Sequence, residues 1–270
     1  MVVGYSPAGL SPPFVGGVGT LGLLVGSFLN VVVYRIPAGR SVLRPRSTCA
    51  SCASPIRPRD NVPILSWFLL RGRCRHCSAA VSARYPTVEA AAGLLFAALA
   101  ATRGRSAVLP ALLYLTAAGI ALFLIDLDHH RLPDAVVLPS YPVVAVLLAV
   151  AGLVTGDFPV ARTALSVVVW LAVYSLIWLT TWGRGMGLGD VKLSGLLGLL
   201  LGWLGWGPSL VGLLAGFVIG AAAAVTLLAS RRAGRGTKIA HGPFMLAGAA
   251  LGVFAGAPLG QLWLLAVGSR

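Results

Sequence analysis

Two aspartates stand where apolar stretches meet polar connections, and each has residues around it that suggest chemistry. Asp126 ends an apolar run within Phe-Leu-Ile-Asp-Leu-Asp-His-His-Arg-Leu-Pro-Asp, residues 123–134. Asp190 begins another run within Gly-Met-Gly-Leu-Gly-Asp-Val-Lys, residues 185–192. Two carboxylates at one depth can share a proton, because like charges at close range cannot both ionise. The ionised group can then take a proton from water while the protonated one polarises a peptide carbonyl.

The residues beside Asp190 predict how a peptide would approach it. Gly187 and Gly189 leave the backbone flexible and uncrowded, so we expect an extended peptide to lie close to Asp190 and pair there as a strand. No serine or cysteine stands near His129, His130 or His241 in a recognisable motif for nucleophilic catalysis. The sequence therefore favours acid–base chemistry by the two aspartates over a covalent mechanism.

Residue types alone leave other interpretations of the acids open. An ion or proton transporter also uses paired acids, although its acids would lie at mid-membrane in broken helices. A purely structural role, in helix capping or pairing with Arg131 and Lys192, is open for Asp128 and Asp134. Asp157, in Thr-Gly-Asp-Phe-Pro, is expected to be a turn residue.

All four cysteines of the chain lie in its one long polar segment, residues 35–85. They form two Cys-x-x-Cys pairs, Cys49 with Cys52 and Cys74 with Cys77, in a spacing close to that of tetrahedral zinc sites. A segment of this size with few apolar side chains cannot bury enough surface to fold unaided, and a metal–thiolate centre would stabilise it. We predict a structural Zn²⁺. Disulfide pairing is the alternative, which a reducing cytoplasm disfavours.

The composition places these residues in a membrane protein. Of 270 residues, 57% are hydrophobic and only 10% charged, whereas a soluble domain has about 25% charged residues. Apolar stretches near the ~20 residues needed to cross a bilayer predict eight transmembrane helices. Their approximate bounds are 14–34, 86–102, 106–125, 135–153, 163–182, 191–205, 208–229 and 243–267. The predicted fold is an all-α polytopic membrane protein with a small cytoplasmic zinc-binding loop domain.

The distribution of charge predicts the orientation and argues against nucleic acid as a partner. With the N-terminus outside, 17 of the 21 Lys and Arg residues fall in the inside connections, as the positive-inside rule requires. The net charge of +14 is thereby explained by the lipid bilayer, with no need for nucleic-acid binding. The zinc loop and both acids are then cytoplasmic. Three parts are predicted: an N-terminal helix (1–34), the loop domain (35–85) and a helical core (86–270).

Taken in order, the motifs resemble those of bacterial type IV prepilin peptidases, membrane aspartyl proteases of the GxGD type. Six segments carry the resemblance. They are Gly-Ser-Phe-Leu-Asn-Val-Val-Val-Tyr-Arg-Ile-Pro (26–37), the cysteine pairs enclosing Asp-Asn-Val-Pro-Ile-Leu-Ser-Trp (60–67), Arg-Tyr-Pro-Thr-Val-Glu (84–89), the two acid motifs, and Lys-Ile-Ala-His-Gly-Pro-Phe (238–244). The resemblance runs from about Gly26 to Ala250.

The resemblance implies specific roles. Asp126 and Asp190 would be the catalytic pair, with Gly187, Gly189 and Lys192 as the supporting motif. The substrates would be the leader peptides of type IV prepilins or pseudopilins, cut at the cytoplasmic face of the bacterial inner membrane. Members with the cysteine loop usually also N-methylate the new N-terminus with S-adenosylmethionine. Asp60, Asn61 and Glu89 lie in the part linked to methylation, but no glycine motif for that cofactor is visible.

The chain departs from the family pattern at a few positions. Ala240 and His241 replace the usual Pro and aromatic before the final Gly-Pro-Phe, and Ala53 and Ser78 follow the cysteine pairs where Gly is frequent. None of these is one of the two catalytic acids, but they bear on methylation. A zinc-containing assembly scaffold remains a further alternative, which would need the cysteine loop but not the acids.

Overall fold

The computed structural model describes residues 11–45, 47–230 and 240–268, with side chains up to residue 260. Within these ranges the regular structure is helical, with two isolated β-bridges and no strand. The helices are α1 (Pro12–Arg35), α2 (Leu65–Leu69), α3 (Arg84–Arg103), α4 (Leu109–His129), α5 (Asp134–Thr155), α6 (Val160–Thr180), α7 (Leu188–Leu204), α8 (Trp206–Ala229) and α9 (Gly242–Gly268). The predicted all-α class is confirmed.

Seven of these helices are long and apolar enough to cross a membrane, which makes the protein a multi-pass membrane protein. The remaining predicted span, 191–205, corresponds to α7, which forms where expected but has only 17 residues. At 1.5 Å per residue it is about 25 Å long, short of the ~30 Å hydrocarbon core. Helix α7 is also the most enclosed of the set, with ten buried residues. A helix surrounded by protein does not have to match the thickness of the lipid.

Contacts divide the chain into two compact units, Met1–Ala121 and Leu122–Arg270. In the first unit, α1 packs on α3 through small residues. A Cβ placed on Gly22 would lie 2.6 Å from the Ala92 carbonyl oxygen and 2.9 Å from Gly93 Cα. Between membrane helices, contact this close replaces the hydrophobic driving force that lipid removes.

The second unit is built around α7, which contacts α5, α6, α8 and α9. Buried hydroxyl groups join three of these helices: Ser166 Oγ donates to the Gly198 carbonyl at 2.9 Å and lies 2.7 Å from Ser209 Oγ. The Trp170 indole N–H also donates to Ser209, at 3.0 Å. At the far end of α7, the Arg162 guanidinium donates to two terminal carbonyls, those of Gly202 and Trp203. These bonds satisfy polar groups that lipid could not.

Helices α8 and α9 pack along a run of glycines. A Cβ on Gly248 would lie 2.7 Å from Gly216 Cα, and one on Gly256 would lie 2.7 Å from the Pro208 nitrogen. The two backbones therefore touch over several turns, which fixes the start of α9 relative to α8.

The close contact of α1 with α3 predicts a difference between two glycines of α1. G22A should lower the melting temperature of the detergent-purified protein, because the new methyl group meets backbone atoms that cannot rotate away. We expect a cost of about 1–3 kcal/mol. G17A is the matched control, since nothing lies within 4 Å of its added Cβ. Equal melting temperatures for the two variants would contradict this packing.

Candidate active site and metal centre

Asp126 lies in the last turn of α4 and is only 4% exposed. Its Oδ2 accepts a hydrogen bond from the backbone N–H of Gly242, 116 residues further along the chain, at 3.0 Å. A Cβ on Gly242 would lie 2.6 Å from the same oxygen. Glycine is therefore the residue that allows the start of α9 to approach this carboxylate.

Asp190 is the third residue of α7 and is 8% exposed. Its Oδ2 accepts the N–H of Gly187 at 3.0 Å, and its own N–H donates to the Gly187 carbonyl at 3.1 Å. The carboxylate thus caps the turn that opens α7, where the positive end of the helix dipole favours a negative charge.

Leu132 lies between the helix ends that carry the two acids. A Cβ on Gly189 would lie 3.0 Å from Leu132 Cβ, and one on Gly242 would lie 3.2 Å from Leu132 Cδ2. Leu132 is itself 8% exposed. The end of α4 and the starts of α7 and α9 therefore meet around one leucine.

The supporting residues of the Asp190 motif have distinct contacts. Lys192 Nζ lies 2.8 Å from both carboxylate oxygens of Asp134, and the Lys192 carbonyl accepts the Tyr141 hydroxyl at 2.6 Å. Lys192 therefore fastens α7 to the start of α5, and the structural role weighed for Asp134 is the one that the structure shows. The pairing of a peptide with the backbone at Gly187 and Gly189 stays a prediction.

The four cysteines form a compact group in the first unit. Their sulfur atoms all lie within 4.8 Å of one another, and Cys49 Sγ is 3.8 Å from Cys77 Sγ. Four thiolates around one Zn²⁺ at ~2.3 Å would stand about 3.8 Å apart. The donor set and its spacing fit a tetrahedral zinc site with no open position.

Each cysteine pair sits on the same kind of turn. The N–H of Ala53 donates to the Cys49 carbonyl at 2.9 Å, and the N–H of Ser78 donates to the Cys74 carbonyl at 3.0 Å. Both Ala53 and Ser78 have φ of 57°, a region that costs a non-glycine residue roughly 1–2 kcal/mol. This conformation explains why glycine suits these positions, and the loop carries that strain at both.

Hydrogen bonding prepares most of the thiols for a metal. The backbone N–H groups of Cys52 and Ser51 lower the pKa of the Cys49 thiol. Those of Cys77 and His76 lower the pKa of the Cys74 thiol. For Cys77 the Ala79 N–H acts in the same direction. Hydrogen bonding to the other three sulfurs and desolvation outweigh it, raising the pKa of Cys77 to about 11. Ionisation of Cys77 beside the other three sulfurs therefore requires a cation to offset the added negative charge.

Two acidic residues, Asp60 and Glu89, hold the cysteine loop in place. The Arg75 guanidinium, between two of the cysteines, makes a bidentate pair with Asp60 and lowers the pKa of that carboxyl. Buried Glu89, on α3, accepts the N–H of Ile64 at 2.7 Å, which fastens the start of α2 to α3. The loop is thereby attached to the helix that follows it.

The sequence had not assigned roles to Gly242 and Leu132. Gly242 belongs to a motif that the resemblance includes, but its contact with Asp126 depends on how α9 packs. Leu132 follows the Asp126 motif directly, and its position between two helix starts is likewise a property of the packing. For Gly242, the available sequence signal was a Gly-Pro pair at the start of an apolar stretch. For Leu132, the sequence contains no local signal.

Comparison with known proteins identifies the family of the chain. The family model described as the bacterial peptidase A24 N-terminal domain matches residues 20–103, and that of the type IV leader peptidase family matches residues 113–225. No solved structure matches the chain significantly.

Curated relatives match over most of their length. A protein of Stutzerimonas stutzeri is 38% identical, with 83% of this chain and 85% of the relative covered. One of Pseudomonas aeruginosa is 37% identical, with 83% and 84% covered, and one of Aeromonas hydrophila is 36% identical, also with 83% and 84% covered. All three are named prepilin leader peptidase/N-methyltransferase. The resemblance is confirmed, and the chain belongs to the type IV leader peptidase family.

Proposed function

We propose that this protein cleaves the leader peptide of type IV prepilins or pseudopilins at the cytoplasmic face of the bacterial inner membrane and then N-methylates the new N-terminal residue. The observation that carries the proposal is the meeting of Asp126 and Asp190 around Leu132, each held by the backbone N–H of a glycine. The names of the relatives support both activities.

The two carboxylates can share the work of peptide hydrolysis. One, ionised, takes a proton from a water molecule as the water oxygen attacks the scissile carbonyl carbon. The other, protonated, donates a hydrogen bond to the carbonyl oxygen as negative charge develops there. Proton transfer to the departing amine then breaks the C–N bond. The glycine N–H groups fix Oδ2 of each aspartate, so that both carboxylates are oriented before substrate arrives.

The position of the acids along their helices favours a protease over a transporter. Asp126 lies in the last turn of α4 and Asp190 in the first turn of α7. Acids of an ion pathway belong at mid-membrane in broken helices, whereas a leader peptide is presented to the end of a helix bundle. A zinc-containing scaffold would have no use for two buried acids held in this way.

The cysteine loop would contribute to the second activity. Cys49, Cys52, Cys74 and Cys77 would hold a structural Zn²⁺, which would stabilise the loop without taking part in bond breaking. S-adenosylmethionine would supply the methyl group from its sulfonium to the freed amine. The bonds of Asp60 and Glu89 order the loop in which that step would be assisted.

Replacing either acid should abolish cleavage. D126N and D190N preserve the shape of the side chain but cannot exchange the proton, so prepilin cleavage should fall by at least about 10²–10⁴-fold. D157N is the control, because Asp157 is exposed in the connection after α5. The measurement is product formation from a purified prepilin in detergent. Cleavage at a near wild-type rate in either acid variant would refute the mechanism.

A methyl group at Gly242 should impair the site without unfolding the bundle. G242A places a Cβ 2.6 Å from Asp126 Oδ2, so kcat for cleavage should fall by about tenfold or more, since misplacement by ~1 Å is costly in catalysis. G216A is the matched control in the same α8–α9 interface, where the nearest added contact is 3.4 Å. A kcat equally reduced in both variants would show that general packing, not Asp126, is affected.

Metal analysis should find one Zn²⁺ per chain, and the double variant C49S/C52S should lose it. Because the acids lie in the other unit, we expect the variant to cleave prepilin while methylating the product poorly. The measurement is the mass of the product formed with S-adenosylmethionine present. Wild-type protein without metal and with four titratable thiols would contradict the zinc site, and methylation without cleavage in the variant would reverse the division of labour.

A further inference from the structure

Two buried polar atoms behind the acid pair have no hydrogen-bond partner among the described residues. They are the hydroxyl of Tyr174 on α6 and Nε2 of His241, the residue before Gly242. Tyr174 is 0% exposed. A polar atom withdrawn from water without a partner is destabilising, so this pair of atoms requires a partner.

The two side chains belong to one aromatic cluster. The rings of Tyr174 and His241 have centroids 5.9 Å apart, and Phe217 of α8 packs on both, at 5.2 Å and 5.7 Å. Phe244 of α9 also contacts the imidazole, at 6.2 Å. The imidazole is therefore held in position by apolar rings, while its free nitrogen lacks a partner.

His241 is also tied directly to the acid pair. Its carbonyl accepts the N–H groups of Phe244 and Met245, so it caps the start of α9, and its neighbour Gly242 donates to Asp126. The cluster thus includes the residue next to the backbone N–H that holds Asp126.

We propose that the Tyr174 hydroxyl donates to one bridging water molecule, which in turn donates to His241 Nε2, and that this bridge positions the start of α9 so that the Gly242 N–H meets Asp126. The bridge leaves neither polar atom unsatisfied and requires a neutral imidazole. Both are positioning residues. The proposal rests on the proposed function, because its consequence is read in prepilin cleavage.

Protonation of His241 would break this arrangement. Nε2 would become a donor facing a donor, and a positive charge would stand at the positive end of the α9 dipole. Burial lowers the pKa of His241, which keeps the imidazole neutral near pH 7.

Of the titratable groups among the described residues, Tyr174 on α6 packs on the imidazole, and Asp126 at the end of α4 accepts from the neighbouring Gly242. Helix α8 presents Phe217 and Gly220 to the imidazole. Protonation of the two catalytic carboxylates also lowers kcat/KM at low pH. Substitutions are therefore needed to distinguish the contribution of His241 from theirs.

The sign of the effect follows from the equilibrium. The positioning bond is present above the pKa of His241 and is lost as the pH falls through it. Y174F lacks the positioning bond at every pH, so its kcat/KM should lie below that of wild type throughout. It also loses a bond to the neutral imidazole, so the pKa of His241 should rise and the remaining activity should be lost at a higher pH. H241F keeps a ring in the cluster but cannot be protonated, so its acid limb should move to a lower pH.

The test is the pH dependence of kcat/KM for prepilin cleavage in wild type, Y174F, H241F and F217L. F217L is the matched control: it disturbs the same rings but removes no polar atom, so its acid limb should stay where wild type has it, whatever its rate. Opposite displacement of the acid limb in Y174F and H241F is the expected result. An unmoved limb in Y174F overturns the positioning bond, even where H241F fails to fold. D126N distinguishes the two proposals. Cleavage by D126N would refute the proposed function. If D126N is inactive and the acid limbs of Y174F and H241F do not move, only this inference is refuted.

Discussion

A carboxylate withdrawn from water inside a membrane protein must be hydrogen-bonded, and the second unit is organised by that requirement. Asp126 is satisfied by a backbone N–H that arrives from 116 residues away, and Asp190 by one from its own helix start. The long-range bond exists because α9 begins with a glycine and because α8 and α9 touch along their glycines. The packing of small residues between α8 and α9 thus brings the Gly242 N–H to Asp126 at the end of the bundle.

Helix α7 shows how the bundle supports this site. It is shorter than the seven candidate spans, and its neighbours satisfy its polar groups: Arg162 binds its last carbonyls, Ser166 binds Gly198, and Tyr141 binds Lys192. Helix α7 also packs against four other helices, α5, α6, α8 and α9. Asp190 is therefore presented on a rigid element, as a catalytic group needs to be.

Much of the architecture could be predicted because it follows from local pattern. Apolar runs located the helices, and the spacing of Cys49, Cys52, Cys74 and Cys77 predicted a group whose sulfurs indeed come together. Helix α7 was predicted as a membrane span but has 17 residues, fewer than the ~20 needed to cross a bilayer. A run of apolar residues does not reveal whether lipid or protein will surround the helix. The approach of Gly242 to Asp126 and the position of Leu132 depend on how helices far apart in sequence pack, which no local pattern contains.

The central claim is that two aspartates at one end of this helical unit hydrolyse a leader peptide, and that the same protein then methylates the product. The most direct measurement is the mass of a purified prepilin after incubation with the wild-type protein, with and without S-adenosylmethionine. The account predicts mature pilin in both reactions, heavier by one methyl group when the cofactor is present. A prepilin that keeps its full mass in both reactions would contradict it.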